Sequence, residues 1–230
     1  FSYRSVSTVE EALAALASPT ARALAGGTDL IPMVREGRRQ ADLVVDVKGI
    51  PELGRLEIDA QGNLTIGAAV ALHRVYGHPE VARRWPGLVD AASLIGGTAV
   101  QGRATLGGNL CTASPAGDSI PALIVHGATL IVAGPAGRRS IPVAAFCIGP
   151  GRTVLGPGEL LIAIQVPAPR PRSGAAYLRF IPRNEMDIAV ASSGVALQLD
   201  AEGHIAAIDV ALGAVGPTPI VVADAAALAL

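Results

Sequence analysis

Residues 101–118 read Gln101-Gly102-Arg103-Ala104-Thr105-Leu106-Gly107-Gly108-Asn109-Leu110-Cys111-Thr112-Ala113-Ser114-Pro115-Ala116-Gly117-Asp118, and an earlier stretch, Ala25-Gly26-Gly27-Thr28-Asp29, carries the same theme in short form. Each sets two glycines behind an apolar residue and a small polar side chain behind the glycines. Paired glycines permit positive φ and remove Cβ atoms, so successive backbone N–H groups can converge on an anion. The first turn leads into a predicted helix, Leu30 to Arg35, whose N-terminus adds donors and a favourable dipole. Thr28, Thr105 and Asn109 supply side-chain donors for phosphate oxygens. A pyrophosphate offers more oxygens than one turn can saturate, so two Gly-Gly turns from different lobes predict a clamp. A lone Gly-Gly pair is most often an ordinary tight turn. Neither segment is the G-x-G-x-x-G of a Rossmann fold or the lysine-bearing P-loop.

Working outward, Ser7-Thr8-Val9-Glu10 reads as a capping box opening a helix from Val9 to Ala17. Arg22 to Ala25 and Leu43 to Val47 read as strands on either side of the Leu30–Arg35 helix, giving an N-terminal α/β lobe, residues 1–53. Leu56 to Asp59 and Leu64 to Ala68 form a hairpin around Gln61-Gly62-Asn63. Helical segments run from Leu72 to Ile95, interrupted by Pro79 and Pro86. A helix from Asp118 to His126 and strands at Thr129 to Val132 and Leu160 to Val166 complete a second, α+β lobe, residues 54–167. Pro167 to Ser173, with three prolines and two arginines, is the linker. Strands at Tyr177 to Ile181, Val195 to Leu199 and Ile205 to Leu212 open a third unit, residues 174–230. Phe1 is not an initiator Met, and the chain stops inside an Ala/Leu helix pattern, Ala223 to Leu230, so the third unit is expected to be incomplete.

Composition narrows the function classes. The 230 residues are 50% hydrophobic and 16% charged, enough to bury a substantial core. Aromatics make up 3%, so a flat ligand meets mostly aliphatic side chains and backbone. A formal charge of −1 argues against nucleic acid as a partner. Cys111 and Cys147, the two cysteines, cannot ligate a four-cysteine cluster or zinc site, and reduced thiols fit a cytoplasmic chain. The longest apolar stretch, Ile120 to Gly134, is too short for a membrane span.

The two glycine segments closely resemble those of the FAD-binding medium subunit of molybdenum hydroxylases, the carbon monoxide dehydrogenase and xanthine dehydrogenase type. Gly158-Glu159-Leu160-Leu161, Ile164, Pro167, Arg183 and Asp187-Ile188-Ala189 extend the resemblance over essentially the whole chain, in the family's order. It implies the two-lobed α+β FAD-binding fold of the vanillyl-alcohol-oxidase (PCMH) type, followed by a C-terminal α+β domain. Carried over, Ala25, Gly26, Gly27, Thr28, Asp29 and Thr105, Leu106, Gly107, Gly108, Asn109 would bind the pyrophosphate of FAD. Asp118 would hydrogen-bond on the nucleotide side. Ile95 would lie against the isoalloxazine, and Leu161 would line the same pocket. Arg179 stands where some relatives have Lys, and Arg183 falls on a family arginine near the flavin. Gln101-Gly102 departs from the family's Arg-Asn pair. The resemblance further implies a large molybdenum-cofactor subunit and a small iron–sulfur subunit as partners, in a dimer of heterotrimers. FAD would take electrons from [2Fe-2S] clusters in the small partner and pass them to an external acceptor.

Other candidates read as structural. His73, His78, His126 and His204 lack metal-ligand spacing. Cys111 reads as a small buried filler, and Ser192-Ser193-Gly194 as a strand edge or loop. Asp118 doubles as a candidate N-cap for Ser119 to His126. Arg183 and Asp187, four apart, suit a surface ion pair. No catalytic acid, base or nucleophile is expected. Two rival readings stay open: a self-sufficient flavin oxidase or reductase, which requires its own base, and a scaffold whose glycine turns are structural.

Overall fold

The structure, a computed structural model, describes residues 1–183, 186–225 and 227. Its first unit is a parallel three-stranded sheet of β1 (Ser2–Ser5), β2 (Ala21–Leu24) and β3 (Leu43–Asp46), ordered β1-β3-β2, with helices α1 (Val9–Leu16) and α2 (Leu30–Arg35) as crossovers. The box that opens α1 sits one residue later than the sequence suggested. Thr8 is the N-cap, its hydroxyl accepts from Glu11 N, and the Glu11 carboxylate answers to Thr8 N. Ser7 instead donates to the same carboxylate from outside the helix.

The second unit contains β4 (Leu56–Ile58), β5 (Leu64–Gly67), six short helices, and strands β6 (Thr129–Gly134), β7 (Gly137–Pro142) and β10 (Leu160–Val166). The helices are α3 (Leu72–Tyr76), α4 (Pro79–Arg84), α5 (Pro86–Leu94), α6 (Thr98–Gln101), α7 (Leu106–Thr112) and α8 (Ser119–Val125). The five strands form an antiparallel sheet, β4-β5-β10-β6-β7, and β8 (Cys147–Gly149) with β9 (Arg152–Thr153) makes a small ribbon beside it. Strand β10 lies at the centre and is apolar on both faces, as a covered strand must be. Aliphatic side chains from both units, with Trp85 and Phe146, make one continuous core. Trp85 also donates from Nε1 to Pro167 O at 2.9 Å, tying the linker to the second unit.

The third unit is an antiparallel sheet, β11 (Ser173–Phe180), β12 (Ala191–Leu199), β13 (Ile205–Gly213) and β14 (Ile220–Val221). One face packs on α5 and α8. Opposite Tyr177 stand Gly194 and then Ala211, and this small-residue row lets the sheet close on α8. A Cβ on Gly194 would lie 2.7 Å from Pro121 O. Ser192-Ser193-Gly194 is therefore interior β12, not an edge or loop. The Ala/Leu helix expected over Ala223–Leu230 falls partly outside the described residues.

Candidate functional site

Strand β2 delivers the chain to the carboxyl edge of the parallel sheet, where Ala25–Asp29 bends into α2. Gly27 takes φ +76°, a conformation costly for any residue with a Cβ. Among the described residues, the amides of Gly26, Gly27, Thr28 and Asp29 donate to no acceptor. Gly26 is buried, Gly27 and Thr28 are half-buried and Asp29 is exposed, so these amides stand where a bend meets the N-terminus of α2, open to an external acceptor.

The second glycine pair is not a turn. Thr105 is the N-cap of α7, its hydroxyl accepts from Gly108 N at 2.8 Å, and Leu106, Gly107, Gly108 and Asn109 form the first helical turn. The reason lies in packing: a Cβ on Gly107 would sit 2.5 Å from Ala68 O and 2.8 Å from Ala68 Cα. The helix can approach the end of β5 this closely only with glycine there. Thr105 is buried and occupied as a cap. Asn109 accepts from Ser119 Oγ at 2.6 Å through Oδ1, which orients its amide nitrogen as the remaining donor. The Gly107 amide has no acceptor among the described residues.

These two segments, 80 positions apart, are neighbours in space. Arg103 O and Ala104 Cα occupy the place where a Gly26 side chain would go. Arg103 Nε donates to Gly26 O at 3.2 Å, and Thr112 Oγ1 donates to Asp29 Oδ2 at 2.9 Å. The bend and the helix N-terminus thus form one cradle, held at both ends, with backbone donors from each wall. This is the arrangement a pyrophosphate requires. Cys111, on the exposed side of α7, is not the buried filler expected.

Gln101, where the family pattern has arginine, is buried and satisfied. Its amide donates to Ser93 O at 2.7 Å and Gly96 O at 3.3 Å, and its carbonyl accepts from Tyr76 Oη at 3.1 Å. It clamps the loop that follows α5. Ile95 is the C-cap of that helix and packs on the core, while Gly96 lines a cavity of about 220 Å³ between the second and third units.

That cavity gathers several of the remaining site residues. Asp118 and Arg179 line it, together with Ser114, Asp187 and Ile188. Asp118 occupies the N-cap position of α8 but does not cap it, because its carboxylate is engaged elsewhere. It accepts from Tyr177 Oη at 2.6 Å and from Arg179 Nη1 at 3.0 Å. Burial pushes the Asp118 carboxyl above the ordinary range, opposed by the Tyr177 hydroxyl and Arg179. Arg179 Nε is buried without an acceptor among the described residues. Arg183 is exposed and does not itself line the cavity; it pairs with Asp187 at 3.3 Å and donates to Met186 O at 2.9 Å, and both of these residues do. Leu161 lies in the core of β10, away from the cavity-lining residues.

A bend-and-helix cradle beside a two-unit cavity defines a dinucleotide-binding protein. The profile described as "FAD binding domain in molybdopterin dehydrogenase" matches residues 1–169, and that of the "CO dehydrogenase flavoprotein C-terminal domain" matches residues 176–230. The chain belongs to this family of FAD-binding oxidoreductase subunits. It is 32% identical over 221 residues to a putative xanthine dehydrogenase FAD-binding subunit of Escherichia coli K12, covering 95% of this chain and 75% of that one. It is 32% identical over 222 residues to the carbon monoxide dehydrogenase medium chain of Hydrogenophaga pseudoflava, covering 96% and 76%. The solved carbon monoxide dehydrogenase from Hydrogenophaga pseudoflava superimposes with a TM-score of 0.94 at 32% identity over 100% of this chain and 80% of that one. Quinoline 2-oxidoreductase from Pseudomonas putida 86 gives 0.89 at 30% identity, covering 96% and 76%. The α+β FAD-binding fold and the FAD cofactor implied by the glycine segments are borne out. Among the described residues no helix is long and apolar enough to cross a membrane.

Proposed function

We propose that the chain is the FAD-carrying electron-transfer subunit of a multi-subunit molybdenum hydroxylase. The observation that carries this reading is the meeting of four unpaired amides at Gly26–Asp29 with the N-terminus of α7. Ala25–Asp29 and Leu106–Asn109 would hold the pyrophosphate, with Thr105 setting the helix that presents the second wall. Ile95, Arg179 and, through Asp187, Arg183 would surround the ring system, and Asp118, which the resemblance places on the nucleotide side, would act there through Arg179. When bound, FAD supplies the redox chemistry, receiving electrons from iron–sulfur clusters of a small partner and releasing them to an external acceptor. This chain's residues bind and orient it, exclude water from its inner face and set the charge around it. Substrate oxidation belongs to a large molybdenum-cofactor partner. Relatives described as medium chains support such partners, and we extend the reading to a dimer of heterotrimers in the cytoplasm. The test is purification of the protein with its partners. It should show an oxidised-flavin spectrum at one FAD per chain, with molybdenum and iron in the complex. A flavin-free complex refutes the reading.

A further inference from the structure

Away from the glycine cradle, one buried charged cluster joins the third unit to the second. Tyr177 and Arg179 are two apart on β11, so both leave the strand on the same face. Both reach Asp118 at the head of α8, one on each carboxylate oxygen. The Asp118 and Arg179 side chains are 9% and 7% exposed. Tyr177 is itself anchored, its backbone N donating to Asp90 Oδ2 of α5 at 3.2 Å. Among the described residues, Arg179 gives only Nη1 to a protein acceptor, and it lines the cavity.

A guanidinium offers five N–H donors, and one carboxylate oxygen uses a single one of them. Leaving buried donors unpaired is costly, so such a group is held for a ligand rather than for packing. Its direction depends on Asp118 staying ionised while buried, and a lone carboxylate in that place tends to protonate. The second oxygen of Asp118 therefore needs a donor, and Tyr177 is the residue that provides one.

We propose that Tyr177 is a positioning residue for the flavin site, its hydroxyl holding Asp118 as the carboxylate that aims Arg179 at the ring system. This inference rests on the FAD reading above. Among the described residues, the other charged groups around the cluster are Asp90 of α5 and, on the segment after β11, Asp187 with its partner Arg183. Asp187 also lines the cavity. Burial, and then the Asp118 charge, push the Tyr177 phenol up, so it remains a hydroxyl donor throughout the accessible pH range.

The experiment uses FAD-loaded full-length protein and spectroelectrochemical titration at pH 6 and pH 8. In wild type, the Tyr177 and Arg179 donors favour the Asp118 carboxylate, so it should add little to the flavin's own pH slope. In Tyr177→Phe the carboxyl gains no donor in exchange, so two-electron reduction of the flavin draws a proton onto Asp118 in addition to its own. The reduction equilibrium should then shift at pH 6 relative to pH 8 by roughly tenfold beyond the wild-type slope, which is about 30 mV for a two-electron couple. Asp118→Asn, neutral at every pH, should raise the potential at both values and show no extra step. Flavin-loaded variants that both follow the wild-type potential overturn this inference alone. A wild-type protein that takes up no FAD overturns the FAD reading and this inference with it.

Discussion

Replacing Gly108 by Ala separates the binding role of the second glycine pair from its packing role. Gly108 is the third residue of α7, and a Cβ built there meets only Thr105 Oγ1, at 3.1 Å. The fold can absorb that by a shift of a few tenths of an ångström in the cap. Alanine also gains about 0.5–1 kcal/mol over glycine inside a helix, which offsets the crowding. At about 2–4 °C per kcal/mol for a chain of this size, the melting temperature without FAD should stay within about 4 °C of wild type. The ligand is affected differently. If a phosphate lies against the bare edge of the first turn, the new methyl displaces it from its donors. Losing one charge-assisted hydrogen bond costs about 1.5–3 kcal/mol, so the Kd for FAD should rise roughly ten- to a hundredfold. Gly107→Ala is the control, since its Cβ would collide with the Ala68 backbone. Overpacking of about 1–3 kcal/mol should lower its melting temperature by roughly 2–12 °C. Calorimetric FAD titration and thermal melts of the apo forms decide the matter. A stable Gly108→Ala protein with wild-type FAD affinity refutes the placement of phosphate at α7.

Gly26→Ala drives a methyl into Arg103 O and Ala104 Cα, parting the two walls of the cradle, so FAD affinity and melting temperature should fall together in the same assays. The Glu52 carboxyl is held below its usual range chiefly by hydrogen bonds from Arg138, at 2.5 and 2.8 Å. A depressed carboxyl contributes stability above its unfolded pKa that is lost as pH falls through the lower folded value. Arg138→Gln should therefore cost up to about 1 kcal/mol at pH 6 for this partly exposed pair, and progressively less as pH falls below the ordinary carboxylate range, in urea melts. His126 also weakens the fold as pH falls, for a different reason. Burial lowers its pKa to about 4, so between the ordinary value of 6.5 and 4 the unfolded chain takes a proton that the folded chain refuses. Stability should fall across that window by up to about 3 kcal/mol, at 1.36 kcal/mol per pKa unit. His126→Leu should flatten this slope, and an unchanged slope would show that His126 is not held neutral.

Much of the fold was legible because its long strands carry strong patterns. Leu160–Ile164 is continuously apolar and proves to be the covered part of the central strand of the five-stranded sheet. The helix Leu30–Arg35 was bounded by its glycine bend and by Gly37. The missed elements are those that tertiary pairing imposes on weak local signals. Strand β1 reads Ser-Tyr-Arg-Ser and is exposed throughout, yet it pairs in parallel with β3. Strand β7 begins Gly-Arg-Arg-Ser and is held by its hairpin with β6 and by Arg138 and Arg139 reaching Glu52 and Glu159. Both lack the alternation that marks a strand in isolation.

The candidate site divides along the same line. Gly26, Gly27 and Gly107 were visible because close backbone approach leaves a mark in composition, the absence of a side chain. Even so, the mark does not say what comes close. At Gly26 and Gly107 the approaching group is the protein's own backbone, at Arg103 and at Ala68. Ligand access is left to Gly27, the Gly26–Asp29 amides and the open edge at Gly108. Tyr177 left no such mark, since a tyrosine on a strand is ordinary until Asp118, 59 positions away, is found beneath it. The glycines therefore build the cradle by bringing its walls together. The walls then bind through amides that any sequence of permissive backbone could offer, which is why the glycine spacing, more than any side chain, carries the family's identity here.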